Sequence, residues 1–273
     1  MYGKNTAIRL LSKSRLIYII LLVYPLLVVL TLLAIFTYSP KSVIPGILDP
    51  EIVAAVKLSL ISALSAITLA VIFGTPLAYY LARHDFYGKS LVESLIDIPI
   101  SIPPLVCGVG LLLLFGANGW IGENLAAWGI HVIFTLKGAI IAQFFIAAPL
   151  FIQTVKTTFE TIDRRFETVA RTLGSSPIDA FFKVTVPLSW EGIINGTTIS
   201  FARCMAEFGA TLMVASAIAF KTETLPLAVF MNMSTGNIDL AIAAASILII
   251  ISLFTILSIR LISKFFNKKI KQI

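Results

Sequence analysis

The chain has 273 residues, of which 58% are hydrophobic and only 13% charged. Soluble domains carry about 25% charged residues, so the composition excludes an ordinary soluble enzyme and predicts an all-α polytopic membrane protein embedded in a lipid bilayer. The net charge of +7 then reads as Lys and Arg held at one membrane face, with no nucleic acid as partner.

A bilayer-crossing segment needs about 20 apolar residues, and a helix is the open-chain form that satisfies its own backbone there. Six stretches qualify, at residues 16–36, 58–81, 98–115, 138–155, 192–219 and 240–259. The first follows Lys4, Arg9, Lys13 and Arg15 in the manner of a signal peptide. It is too long for one and lacks a small-x-small cleavage site, so it reads as a retained span. The third is broken up near its start by Pro99, Pro103 and Pro104, followed by Gly108 and Gly110. Such irregularity is tolerated where backbone packs on protein or lines a cavity, and both readings stand. The fourth contains Pro149. The fifth opens with Gly192 and Gly196, a G-x-x-x-G that permits close helix packing within the chain.

The fifth stretch also holds Arg203 and Glu207, which at i, i+4 share one face of a helix. An unpaired charge at mid-membrane costs at least ~2.5 kcal/mol, so the two are expected to pair or to face a polar path. One reading is a structural ion pair that fixes packing; the other is a pathway or gate element. Glu207 would weaken the attraction of Arg203 for an oxyanion, so the pair is not assigned as a substrate site. Cys107 and Cys204 fall in apolar runs without metal spacing and read as small hydrophobes. His84 and His131 have no partner at ligand spacing. Gly88-Lys89-Ser90 ends like a phosphate-binding loop, but the glycine required five positions before Gly88 is Arg83, and no strand precedes it. No catalytic or metal-binding residues are therefore assigned, and no cofactor is expected on this chain.

Six crossings put both termini on one side. Sixteen of the 21 Lys and Arg residues then fall on that side, in the two tails and in the 2–3 and 4–5 loops. Lys41, Lys57, Lys137 and Lys221 fall on the other, and Arg203 lies within a span. This asymmetry predicts that both termini and both of those loops are cytoplasmic.

The 4–5 loop, residues 156–189, is far longer than the 2–8 residues a helix connection normally needs. The spacing of Val169, Ala170 and Leu173 predicts a helix over 166–173, ended by Gly174 in the left-handed conformation. Ser176 is a good N-cap, Pro177 a good first helical residue, and Asp179 completes a Ser-x-x-Asp start. A second short helix is expected over 177–184, showing Phe181 and Phe182, with Pro187 ending it. Two short helices with a fixed bend suit either a hairpin on lipid headgroups or a docking element for a cytoplasmic partner.

The stretch "ETVARTLGSSPIDAFFKVTVPLS" resembles the EAA loop of importer-type ABC transporter permeases, through Ala170, Gly174 and Pro187. Val169 stands for the first Ala, and Glu167 lies one residue early. The resemblance implies that this loop forms coupling helices for an ATPase subunit, with Glu167, Ala170, Gly174, Ser176, Pro177, Phe181, Phe182 and Pro187 as its residues. "SFARCMAEFGATLMVAS" (200–216), "IFGTPLAYYLAR", "DIPISIPPLVCGVGLLLLFG" and "KTETLPLAVF" are similar to molybdate, tungstate and sulfate permeases, and "GIHVIFTLKGAIIA" to the molybdate kind. The resemblance implies a molybdate or tungstate permease without an ATPase site of its own, ATP-Mg being bound by the partner. It further implies two ATPase subunits, a second copy of this chain and an external molybdate/tungstate-binding protein. A sulfate permease is the nearest alternative. An ion-coupled secondary transporter would normally need ionisable groups on several spans, where only Arg203 and Glu207 stand well inside.

Overall fold

The computed structural model describes residues 15–38 and 40–270, with side chains described for 21–38 and 44–258. The basic residues Lys4, Arg9, Lys13 and Lys271, counted in the tails above, lie outside the described residues. In chain order the helices are α1 (Arg15–Tyr38), α2 (Pro40–Ile47), α3 (Pro50–Arg83), α4 (Lys89–Ser101), α5 (Pro104–Phe115), α6 (Gly122–Ala127) and α7 (Leu136–Thr161). Then follow α8 (Arg165–Thr172), α9 (Pro177–Ala180), a π-helical turn at Phe181–Thr185, and α10 (Val186–Leu188). The chain ends with α11 (Trp190–Met205), α12 (Gly209–Ala215), α13 (Leu225–Ser234) and α14 (Ile238–Ile270).

The spine is α3 packed lengthwise on α7, with α11 against both. Small residues let these helices approach: Ala63, Ala66, Ala70 and Ala78 of α3 and Ala147 of α7 are fully buried. The larger buried side chains that fill the remainder are Leu81, Phe151, Val155 and Phe159. A Cβ at Gly192 would lie 2.0 Å from Thr158 Oγ1, so the G-x-x-x-G does serve packing of α11 on α7 within the chain. α13 and α14 pack on one another, and α2 on α14. α1 has few neighbours and leaves Leu21, Leu22, Leu26 and Leu27 exposed, as a lipid-facing helix would. Cys107 and Cys204 are both buried thiols.

Of the six expected spans, the third and the fifth are discontinuous. Among the described residues four helices are long and apolar enough to cross a membrane: Leu21–Tyr38, Pro50–Arg83, Leu136–Thr161 and Ile238–Ser258. The third expected span is a bent pair, α4 and α5, with an angle of 111° between them. Pro103 and Pro104 cause the break: neither has an N–H for the helix ladder, and each drives its predecessor into the extended region. Ile102 accordingly sits at φ −92°, ψ 140° and Pro103 at φ −53°, ψ 132°. The fifth expected span, 192–219, is split into α11 and α12 by Ala206, Glu207 and Phe208.

The two breaks face each other because α5 and α12 touch backbone to backbone. A Cβ at Gly209 would stand 2.9 Å from the Leu105 nitrogen, and one at Gly108 2.7 Å from the Ala210 Cα. A Cβ at Gly110, in the same helix, would meet nothing within 4 Å. Gly108→Ala is therefore expected to destabilise the protein by about 1–3 kcal/mol through overpacking. Gly110→Ala is expected to be neutral or stabilising by about 0.5–1 kcal/mol through helix propensity. Thermal unfolding of the two variants in detergent compares them directly, and equal shifts would refute the α5–α12 contact.

Candidate functional site

The loop between α7 and α11 is built largely from local signals. α8 ends in a two-bond cap: the Gly174 N–H donates to the Arg171 carbonyl and the Ser175 N–H to the Ala170 carbonyl, both at 3.0 Å. This geometry needs a left-handed residue, and Gly174 sits at φ +95°. Space is not the constraint, since a Cβ there would meet nothing within 4 Å. Ser176 starts α9 as the sequence predicts: its hydroxyl accepts the Asp179 N–H at 3.1 Å, with Pro177 at the first position. Lys183, 2.6 Å from Asp179, and then Ser176 hold the Asp179 carboxyl below its ordinary value.

Pro187 does not end this second helix as expected. It lies inside the last turn, α10, and what changes around it is the hydrogen-bond register. The Val186 N–H reaches back five residues to the Phe181 carbonyl, a π-turn spacing. The wider turn leaves Thr185 fully buried, facing α8.

There the loop is anchored. Glu167 of α8 places Oε1 2.9 Å from Arg83 Nε, 2.8 Å from Arg83 Nη2 and 2.8 Å from the donating Thr185 hydroxyl. The Tyr79 hydroxyl donates to Oε2 at 2.8 Å. Arg83 Nη1 also donates to the Ile162 carbonyl at 3.0 Å, and Arg164 to the Ala82 carbonyl at 3.3 Å. The Arg83 and Glu167 side chains are only 6% and 14% exposed. Burial pushes the Glu167 carboxyl up, but the hydrogen bonds from Tyr79, Thr185 and Arg83 and the guanidinium charge together hold it below its ordinary value. Phe181 adds an apolar contact, its ring 4.7 Å from that of Tyr79 and 6.2 Å from that of Phe159.

This arrangement divides the sequence-assigned loop residues into two groups. Glu167 and Phe181 turn inward and tie the loop to α3 and α7. Phe182, 63% exposed, turns outward, with Phe166 and Val169 of α8, Leu173 at its C-cap and Ile178 of α9. Ala170, Gly174, Ser176 and Pro177 form the bend between the two helices. Tyr79, Arg83 and Thr185 were not singled out by sequence reasoning. Their signal is pairing with Glu167 from 88, 84 and 18 residues away, which a single sequence does not carry.

Arg203 and Glu207 do pair, at 2.8 Å, but not along a continuous helix. α11 ends at Met205, and Glu207 stands in the break, where its Oε1 accepts the Ala210 N–H at 2.9 Å and so caps α12. Its other oxygen faces Arg203 Nη1. Glu207 is 1% exposed, while the Arg203 side chain is 31% exposed. Both line a cavity of about 320 Å³ with Pro103, Pro104, Leu105 and Gly209.

Known proteins share this architecture. Residues 66–272 match the family described as binding-protein-dependent transport system inner membrane component. The molybdenum transport system permease protein ModB of Haemophilus influenzae is 38% identical over 81% of this chain and 97% of its own length. The sulfate transport system permease protein CysT of Escherichia coli is 34% identical over 82% of this chain and 81% of its own. Among solved structures, a bacterial alginate ABC transporter in complex with its pentasaccharide-bound periplasmic protein gives a TM-score of 0.72 at 15% identity, covering 98% of each chain.

Glu167→Ala leaves Arg83 buried without its partner and is expected to cost about 3 kcal/mol of local stability, whereas replacing Arg83 and Glu167 together by Met and Leu recovers most of it. Because the folded carboxyl titrates below the ordinary value, its contribution is full above that value and is lost as pH falls through the depressed one. Amide exchange across residues 165–188, corrected for intrinsic rates, is therefore flat from neutral pH down to about 5 and accelerates in stronger acid. Acceleration already between pH 6 and 7 would refute the anchor.

Proposed function

We propose a cargo and a set of partners for this chain, which belongs to the family of binding-protein-dependent transport system inner membrane components. It is a multi-pass membrane protein and a permease subunit of an ABC transporter. The cargo we assign is a group-6 oxyanion, molybdate or tungstate. The observation that carries this is the 38% identity, over nearly the whole of its length, to a protein named as a molybdenum permease. The sulfate reading stays close behind, because a permease named for sulfate matches the same share of this chain at 34%.

In this reading the chain binds no nucleotide, and ATP-Mg sits on a cytoplasmic ATPase. The outward face formed by Phe166, Val169, Leu173, Ile178 and Phe182 inserts into that subunit, since an apolar strip outside the bilayer needs a protein surface to cover it. An ATPase pair offers two clefts, so two copies of this chain assemble about a two-fold axis, with the translocation path between them. An external binding protein delivers the oxyanion. The charge asymmetry of the loops supports a cytoplasmic position for the ATPase side and for both termini. Closure of the ATPases on ATP draws the two loops together and opens the path outward; hydrolysis reverses it.

Two measurements test this. Gly174→Val forces a β-branched residue to φ +95°, so the bend between α8 and α9 is lost and co-purification with the cognate ATPase is expected to fall by about tenfold or more. Unchanged co-purification and uptake would sink the docking reading. For cargo, the cognate binding protein should hold molybdate and tungstate at least about a hundredfold more tightly than sulfate, a gap of ~2.7 kcal/mol. The reverse order would give the chain to sulfate.

A further inference from the structure

The feature left over is the cavity where the two helix breaks meet. Arg203 enters it with a guanidinium of which only Nη1 is engaged, by Glu207; no other ion pair or hydrogen bond to Nε or Nη2 occurs among the described residues. An Arg facing lipid in the middle of an apolar stretch costs roughly 2.5–3.5 kcal/mol or more, so the third-exposed Arg203 side chain calls for water or protein over it. Glu207 cannot follow a ligand out of place. It is 1% exposed, with one oxygen on the Ala210 N–H and the other on Arg203. The rest of the wall is apolar, from Pro103, Pro104 and Leu105, and the start of α5 points its partial positive charge the same way.

We propose that this cavity is an oxyanion waystation on the translocation path, in which the free edge of the Arg203 guanidinium binds a tetrahedral dianion and Glu207 is the positioning residue that aims it. The inference rests on the oxyanion reading above. The neutralising carboxylate is what makes the site suitable for transport. An isolated buried guanidinium would hold a dianion too well, and a path site must bind weakly enough to release. The volume of about 320 Å³ accommodates the anion with part of its hydration shell, so no full set of protein donors is needed.

The test uses the whole complex, this chain with its ATPase and binding protein in liposomes, and reads molybdate accumulated per ATP hydrolysed. Arg203→Gln is expected to lower that ratio about tenfold, the loss of a charge-assisted bond, with Arg203→Lys recovering part of it. A wild-type ratio in Arg203→Gln overturns the waystation. Should Arg203→Gln fail to assemble, Glu207→Gln decides, because its amide oxygen still caps α12. It leaves the guanidinium unneutralised and is expected to retain the anion, dropping the ratio severalfold; a wild-type ratio overturns the proposal. If the wild-type complex accumulates neither molybdate, tungstate nor sulfate, the oxyanion reading falls and the waystation with it. Accumulation by the wild type with both variants unimpaired removes the waystation alone.

Discussion

One carboxylate decides where the loop between α7 and α11 sits. Glu167 reaches back to Arg83 and Tyr79 at the end of α3 and sideways to Thr185 in the following turn, so three separate stretches of chain share one buried charge. Taken alone, α8 is eight residues long and α9 four, too short to be stable helices in water. They persist because their ends are capped by Gly174 and Ser176 and because the anchor removes their freedom to move as a unit. The outward apolar strip can therefore be presented at a fixed angle instead of collapsing onto the protein.

The π turn belongs to the same arrangement. In a regular α-helical register from Pro177 to Leu188, Thr185 would fall about 100° away from its present direction for each residue of offset. The one-residue widening at Phe181–Thr185 brings the Thr185 hydroxyl onto Glu167 and sends Phe181 onto Tyr79, while Phe182 stays in solvent. Neighbouring phenylalanines thus take opposite duties, one holding and one presenting.

How much of this a reader of the sequence could find depends on the range of the cause. The bend is local, written in Gly174, Ser176, Pro177 and Asp179, and the structure has Gly174 left-handed and Ser176 capping α9. The break at Pro103-Pro104 is equally local. The break at Ala206–Phe208 is not, for those residues contain no helix breaker. It comes from Gly209 meeting the backbone of Leu105 and from Glu207 leaving the helix to cap the next one. The Arg83–Glu167 pair is hidden for the same reason: each residue looks like an ordinary solvated charge until the chain brings them together. Membrane chains conceal such contacts well, because the apolar pattern that reveals a helix says little about which polar residue faces which.

The helix that carries the anchor has a mechanical property of its own. α3 is a single helix of 34 residues, so it runs roughly 50 Å from end to end. One end is clamped to the loop through Arg83 and Tyr79. Toward the other, Glu51 accepts a bond from Asn232 at 3.0 Å, and the Ser59 hydroxyl accepts the N–H of Leu225 at 2.7 Å, so α13 hangs from it. A lever of that length turns a tilt of about 5° at the loop into a displacement of roughly 4 Å at the far face. Small angular work done at the loop end of α3 thus arrives at its opposite end as a side-chain-sized movement, carried by one helix.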